Sequence, residues 1–205
     1  MSEKDIKTEV RILEAAVEEF VSKGKSGARM QAIADKAGIN KALLHYYYRS
    51  KDTLFESVFV GVIRKLVLPR MLVVINQEND LFELIRKFTH AYLNVLNNNP
   101  SIAFFILEEI TKNPTRMSDA IIRSELPMER LFGIVKKAVS DGVIRPIDPP
   151  QLMVNIVALC VFPLVGRNMM QPVLFDGDER AYCEFLEARK EEVAEFIILS
   201  LTNTS

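Results

Sequence analysis

Cysteine is scarce in this chain, and so are the residue patterns that mark most catalytic and metal sites. Cys160 and Cys183 are the two cysteines in 205 residues. They are too few and too scattered for a disulfide framework or a zinc site, which suits a reducing cytoplasm. The two histidines, His45 and His90, stand without a partner at the spacing of a metal-binding HExxH or ExxH pair. No glycine-rich phosphate loop and no Gly-x-Ser-x-Gly elbow occurs. These absences leave little support for catalysis, and no cofactor or metal is expected. Glycine and proline number only eight and nine, and alternating β-branched runs are few, so long helices are the expectation. Long hydrophobic runs are missing too. The most apolar window, residues 156–166, is too short to cross a bilayer and is followed by Arg167. The N-terminal MSEKDIKTEV mixes both signs of charge and has no apolar core, so it does not read as a signal peptide. A cytoplasmic protein without a membrane partner is expected.

With 49% hydrophobic and 26% charged residues, the composition is that of a globular chain long enough to bury a core. Its charge is unevenly placed. Residues 23–51 hold seven basic side chains (Lys23, Lys25, Arg29, Lys36, Lys41, Arg49 and Lys51) against Asp35 alone, hence +6. The whole chain sums to −1, so the remainder carries −7. A positive patch on an acidic protein marks where a polyanion docks.

Within that patch, residues 29–51 hold two short apolar-periodic segments around Ala37-Gly38-Ile39-Asn40. Gly38 stands where a helix end favours the left-handed backbone region, and Asn40 where the next helix needs an N-cap. Helix, glycine turn and capped helix at this spacing match a DNA-binding helix-turn-helix; a plain helical hairpin is the blander reading. The charge asymmetry and the cluster Tyr46-Tyr47-Tyr48 favour DNA.

Along the chain, Ile6, Val10, Leu13, Val17 and Phe20 predict a supporting helix over 4–22, with Glu9, Glu14, Glu18 and Glu19 on its other face. Residues 23–27 read as a turn, and helices follow over 30–36 and 41–47. Ser50 caps a fourth helix striped by Leu54, Phe55, Val58, Phe59, Val62, Ile63 and Leu66, which connects two domains until Pro69 kinks or ends it. Further helices are expected over 81–96 with Asp80 as cap, over 101–112, over 116–140 interrupted at Pro127, over 151–170 kinked near Pro163, and over 179–201 after the Asp176-Gly177-Asp178 turn. The fold class is all-α: a three-helix helix-turn-helix domain in residues 1–51 and a helical bundle in 52–205.

The run MQAIADKAGINKALLHYYYRSKDTLF resembles the N-terminal signature of the TetR family of bacterial transcriptional regulators. The matching positions are Ile33-Ala34, Ala37-Gly38-Ile39, Lys41, the aromatic row through Tyr48, and Ser50-Lys51-Asp52 with Leu54-Phe55. The resemblance implies a homodimeric repressor that holds a palindromic double-stranded DNA operator. A small molecule bound in the C-terminal domain then changes the spacing of the two reading heads. Carried over by position, Lys41, Ala42, Leu43, His45, Tyr46 and Tyr47 fall on the recognition helix. Gln31 falls at a base-reading position, and Arg29 and Lys51 fall at helix starts that meet phosphate. Leu43 replaces a frequent Thr, Asn40 a frequent Ser and His45 a frequent Tyr. Leu43 cannot hydrogen-bond but can meet a thymine methyl. Of the three tyrosines, Tyr48 is expected in the core.

The ligand side is less specific. Phe88, Tyr92, Phe104, Phe105, Glu108, Met117, Phe132 and Met153 are candidate pocket residues, although aromatic and Met side chains also fill cores. His90, Asn94, Glu109, Asn155 and Arg167 are further polar groups along these helices. Ile156, Cys160, Leu164, Phe185, Val193, Phe196 and Ile197 stripe two long helices that either pad the core or join two copies; two half-sites on DNA favour joining. The competing readings are an all-α enzyme built on Glu108, Glu109 and His90, and a small-molecule sensor that does not act on DNA.

Overall fold

The structure, a computed structural model, describes residues 3–98, 103, 106–107, 110–112, 114–122 and 126–202. Among these the chain is helical, without a strand. It divides into two compact units, Met1–Leu66 with Phe104–Arg123, and Val67–Ala103 with Ser124–Ser205.

The first unit begins with α1 (Glu3–Gly27), α2 (Met30–Lys36), α3 (Lys41–Tyr47) and α4 (Lys51–Val62). The expected turn after residue 22 is a break inside α1, where Gly24 takes φ 65°. The inner face of α1 is Ile12, Ala15, Ala16, Phe20 and Glu19, whereas Ile6 and Val10 are exposed. The stripe expected from Ile6, Val10, Leu13, Val17 and Phe20 is not the buried one: packing against α2 and α4 turns inward the neighbouring face that carries Glu19. Glu19 therefore lies inside and not on the acidic outer face. Phe20 meets Phe55 of α4 edge-on, with ring centroids 5.0 Å apart, at the centre of this core.

α4 ends in a π-helical segment, Ile63–Val67, and α5 (Leu68–Gln77) starts with Pro69 in its first turn. Pro69 has no N–H to donate and crowds the preceding turn, which accounts for the change of helix type there. α6 (Leu81–Asn98) is capped as expected, the Glu83 amide donating to Asp80 Oδ1 at 2.9 Å. α7 (Pro114–Ile122) and α8 (Met128–Ser140) flank the interruption at Pro127. The helix expected over 101–112 lies largely outside the described residues.

In the second unit, α6 packs on α5, α9 (Pro149–Val165) and α11 (Glu179–Thr202). Leu81, Ile85, Leu93, Val135, Leu152, Ile156, Cys160, Val193 and Ile197 form its main core. Arg130, on α8, binds the turn after α5, donating to Ile75 O (2.8 Å), Glu78 O (3.0 Å) and Asn79 Oδ1 (2.8 Å).

Pro163 lies inside α9, but the chain breaks three residues later, at Gly166, where α9 and α10 (Arg167–Phe175) meet at 75°. A Cβ at Gly166 would stand 3.0 Å from the Phe162 carbonyl oxygen, so a side chain at the break would force that carbonyl to give by a few tenths of an ångström. Pro163 lacks the amide that would serve the Leu159 carbonyl one turn earlier. Arg189 of α11 supplies the missing donor at 2.8 Å, and the Tyr182 hydroxyl donates to Pro163 O at 2.5 Å.

Candidate nucleic-acid interface and ligand cavity

The turn between α2 and α3 is built by its own backbone. Gly38 takes φ 66°. Its amide donates to Asp35 O at 3.1 Å, and the Ile39 amide to Ala34 O at 3.0 Å, the two crossed bonds of a Schellman ending. Asn40 Oδ1 then accepts the Leu43 amide at 2.8 Å and starts α3. α3 is held from beneath by Leu44, which is fully buried, and by Tyr48 at 6% exposure. The Tyr47 hydroxyl donates to Asp5 Oδ1 (3.2 Å) and the Tyr48 hydroxyl to Glu9 Oε1 (3.1 Å), both on α1. Burial, reinforced by these acidic neighbours, raises both phenol pKa values, so both hydroxyls remain donors at neutral pH.

Lys41, Ala42, His45 and Tyr46 make the outer face of α3, and Tyr46 is 80% exposed. Leu43 lies at the edge of that face at 37%. Gln31 is exposed on α2, its amide donating to Asp35 Oδ1 at 2.8 Å. Lys51 is half-buried and donates to Ala28 O at 3.2 Å and Ser26 O at 3.4 Å, which ties the start of α4 to the loop before α2.

Three cations of the basic stretch face acids of this same unit: Lys23 with Glu19 (2.8 Å), Lys25 with Asp52 (2.9 Å) and Lys36 with Glu18 (3.1 Å). Arg29, Lys41 and Arg49 are exposed and have no ion pair among the described residues. The charge available to a polyanion is therefore concentrated at the starts of α2 and α3 and in the loop after α3.

In the second unit a small cavity of about 30 Å³, partly open to solvent, lies among α6, α8 and α9. Its lining is apolar throughout: Leu81, Leu84, Ile85, Phe88, Leu131, Val135, Pro149, Leu152, Met153 and Ile156. Phe88 stacks with Tyr92, centroids 5.8 Å apart, and burial raises the Tyr92 pKa to about 12. No cluster of side chains suited to a metal occurs among the described residues.

Two family models match this chain. Residues 12–58 fit the bacterial regulatory proteins of the tetR family, and residues 82–197 fit a tetracyclin repressor-like C-terminal domain. The chain belongs to the TetR family. The HTH-type transcriptional repressor SCO4008 of Streptomyces coelicolor is 51% identical over 180 residues, covering 83% of this chain and 85% of that protein. The HTH-type transcriptional regulator RutR of Escherichia coli is 26% identical over 148 residues, covering 72% of this chain and 69% of its own. Among solved structures, Bacillus subtilis FadR in complex with stearoyl-CoA superposes with a TM-score of 0.70 at 17% identity, covering 94% of this chain and 98% of that one. A regulator from Marinobacter aquaeolei gives 0.68 at 21%, covering 95% and 97%. These likenesses of fold and sequence make the chain a helix-turn-helix transcriptional regulator.

In this TetR-family protein, the residues read from the sequence divide into groups. Lys41, Ala42, His45 and Tyr46 share one outward face, with Leu43 at its edge. Tyr47 is half-buried and its hydroxyl is engaged by Asp5. Arg49 was counted in the basic stretch but not among the contact residues, although its exposure and lack of an acidic partner place it with Arg29 and Lys41. Of the pocket candidates, Phe88 and Met153 line the cavity, whereas Tyr92 and Phe132 do not. Phe104, Phe105 and Glu108 lie outside the described residues, as does the Met117 side chain. Ile156, Cys160, Leu164, Val193 and Ile197, read as joining residues, are buried within the second unit, and Phe185 is half-buried. Side chains inside one chain's core cannot face another copy. The surface that α9 and α11 present instead includes Val154, Ala158, Phe162, Phe196 and Leu199.

Proposed function

We propose that this chain is a homodimeric cytoplasmic repressor that reads a palindromic operator through two copies of α3. A small molecule entering the second unit releases it. The observation that carries the DNA reading is the outer face of α3, capped by Asn40 and anchored to α1 by two tyrosine hydroxyls. It presents Lys41, Ala42, His45 and Tyr46, and the cations Arg29 and Arg49 are exposed and without an ion pair among the described residues. Lys41 can reach guanine O6 and N7 or a phosphate. Tyr46 offers a hydroxyl and a flat face, and Leu43 at the edge offers methyl contact with thymine.

Two considerations support the rest of the reading. A single seven-residue recognition helix reads few bases, so a second half-site and hence a second copy are needed. The exposed apolar stripe on α9 and α11 is a surface that a second copy would cover. The name of SCO4008 supports repression, and the stearoyl-CoA bound to Bacillus subtilis FadR supports a small-molecule effector in this fold.

The test is binding of purified protein to the DNA upstream of its own gene over a salt series, against random DNA of equal length. Saturable, specific binding that weakens steeply with salt is expected. Lys41→Ala and Tyr46→Ala should each weaken it by roughly tenfold, the size of one lost contact of about 1–3 kcal/mol. Genome-wide fragment selection extends the search to distant operators. No specific binding in either format, or variants equal to wild type, would count against the DNA reading.

A further inference from the structure

The helix α3 has seven residues. At about two turns it is too short to be stable alone, so its direction is set by what it rests on. We propose that Asp5 and Glu9 of α1 are positioning residues for DNA reading. Through the hydroxyls of Tyr47 and Tyr48 they set the angle at which α3 meets base edges. The Tyr47 hydroxyl serves this support in place of a DNA contact. This inference rests on the DNA reading above.

The supports of α3 differ in kind. Leu44 and Tyr48 are buried beneath it, but apolar burial is non-directional and tolerates a small roll or tilt. Hydrogen bonds are directional. One, from the Leu43 amide to Asn40 Oδ1, fixes the first turn. Two more fix the far end, where the Tyr47 and Tyr48 hydroxyls donate to Asp5 Oδ1 (3.2 Å) and Glu9 Oε1 (3.1 Å). A bond to an ionised acceptor is stronger than one between neutral groups. Asp5 and Glu9 stand four residues apart and hence on one face of α1. Thr8, buried between them in the chain, hydrogen-bonds the same Tyr47 phenol.

Apolar packing does little for the start of α1. Among residues 5–10 only Thr8 is buried, and Ile6 and Val10 are exposed. The two acid–phenol bonds therefore tie the beginning of α1 to the end of α3. Their effect reaches the outer face directly. The Tyr47 ring meets the ring of the outward Tyr46 edge-on, with centroids 5.7 Å apart. Asp5 holds Tyr47, and Tyr47 steadies Tyr46. Base-edge hydrogen bonds need that alignment, whereas attraction to phosphate survives a small displacement. Loss of the support should thus be felt on the operator and not on random DNA.

The experiment takes the full chain and the fragment selected as operator, and measures the ratio of its affinity to that of random DNA of equal length. Asp5→Ala removes a charge and an acceptor, while Asp5→Asn removes the same charge and keeps an oxygen acceptor. Any change in repulsion from phosphate is common to both, so their difference isolates the hydrogen bond. Asp5→Ala should lower the ratio about fivefold or more, the usual size of coupling between linked sites, and Asp5→Asn should recover most of it. Glu9→Ala and Glu9→Gln form an independent pair with the same expectation. Tyr47→Phe should lower the ratio as Asp5→Ala does, and both changes together should cost no more than either alone. Lost stability alone would reduce the active fraction for both DNAs and leave the ratio unmoved. Circular dichroism confirms folding, and if one pair misfolds the other decides.

Equal ratios in the Ala variants and their Asn or Gln counterparts would overturn the proposal. So would additive costs of Asp5→Ala and Tyr47→Phe. Tyr47→Phe weakening operator and random DNA alike would return its hydroxyl to phosphate. Lys41→Ala separates this inference from the reading beneath it. If that change weakens operator binding while the acid variants match wild type, the positioning role alone is lost. If Lys41→Ala also binds as wild type, the DNA reading is lost with it.

Discussion

Glu19 sits at 1% exposure in the first unit, where an ionised carboxylate is stable only with its partners in place. The hydrogen bond from the Lys23 ammonium, aided by the Arg29 amide, outweighs burial and holds its pKa below the ordinary 4.5. A depressed carboxylate stabilises the fold above its unfolded pKa, and that contribution disappears as pH falls through the folded value. Glu19→Gln should therefore cost about 1–3 kcal/mol at pH 7, the usual cost of disturbing a buried hydrogen-bonded group. The gap between wild type and variant should narrow below pH 4.5. Urea unfolding at a series of pH values measures both quantities. A constant gap from pH 7 to pH 3 would mean that Glu19 is not the titrating group.

Elements differ in how much of their structure could be read from the sequence. The turn between α2 and α3 was legible because its geometry leaves few residue choices: Gly38 is needed for a positive φ, and Asn40 accepts the Leu43 amide as a cap. The caps at Asp80 and Ser50 were legible for the same local reason. The buried face of α1 was not, because the expected stripe and the buried face are neighbours and only the helices packed on α1 choose between them. The bend of α9 was legible as a kink near Pro163, though not its exact place or its support. Pro163 announced a disturbance, but the repair comes from Tyr182 and Arg189 on another helix, and the break falls at Gly166. This repair predicts a specific coupling. Pro163→Ala gives the backbone a donor for the Leu159 carbonyl, so Arg189 is no longer needed there. Arg189→Ala should destabilise the parent by about 1–3 kcal/mol. In the Pro163→Ala background it should cost about 1 kcal/mol less. A double-mutant cycle by chemical denaturation reads the difference, and strictly additive costs would refute the repair.

At the scale of the whole molecule, the charge asymmetry read from the sequence remains, but folding redistributes it. Lys23, Lys25 and Lys36 are matched with acids and Lys51 is held by backbone carbonyls, leaving Arg29, Lys41 and Arg49 exposed and without an ion pair among the described residues. The pairing of two copies through α9 and α11 is a proposal that starts from their sequence pattern. A stripe count on α9 and α11 picks out their apolar residues without distinguishing inward from outward ones. Phe162 at 55% and Phe196 at 64% exposure are the outward aromatic side chains on these two helices. Within one chain, replacing such exposed residues costs little, so Phe162→Arg with Phe196→Arg should leave helicity intact. Across a two-fold interface the same changes bury unpaired like charges, which is prohibitive. Sedimentation should then show a dimer for the parent chain and a monomer for the double variant. A monomer can hold only one half-site at a time, so it loses the effective concentration that links the second head to the first. Operator affinity should fall by a factor of about 10²–10⁴. A double variant that still sediments as a dimer would move the interface to another face. A monomer with undiminished operator affinity would mean that one copy suffices to read DNA.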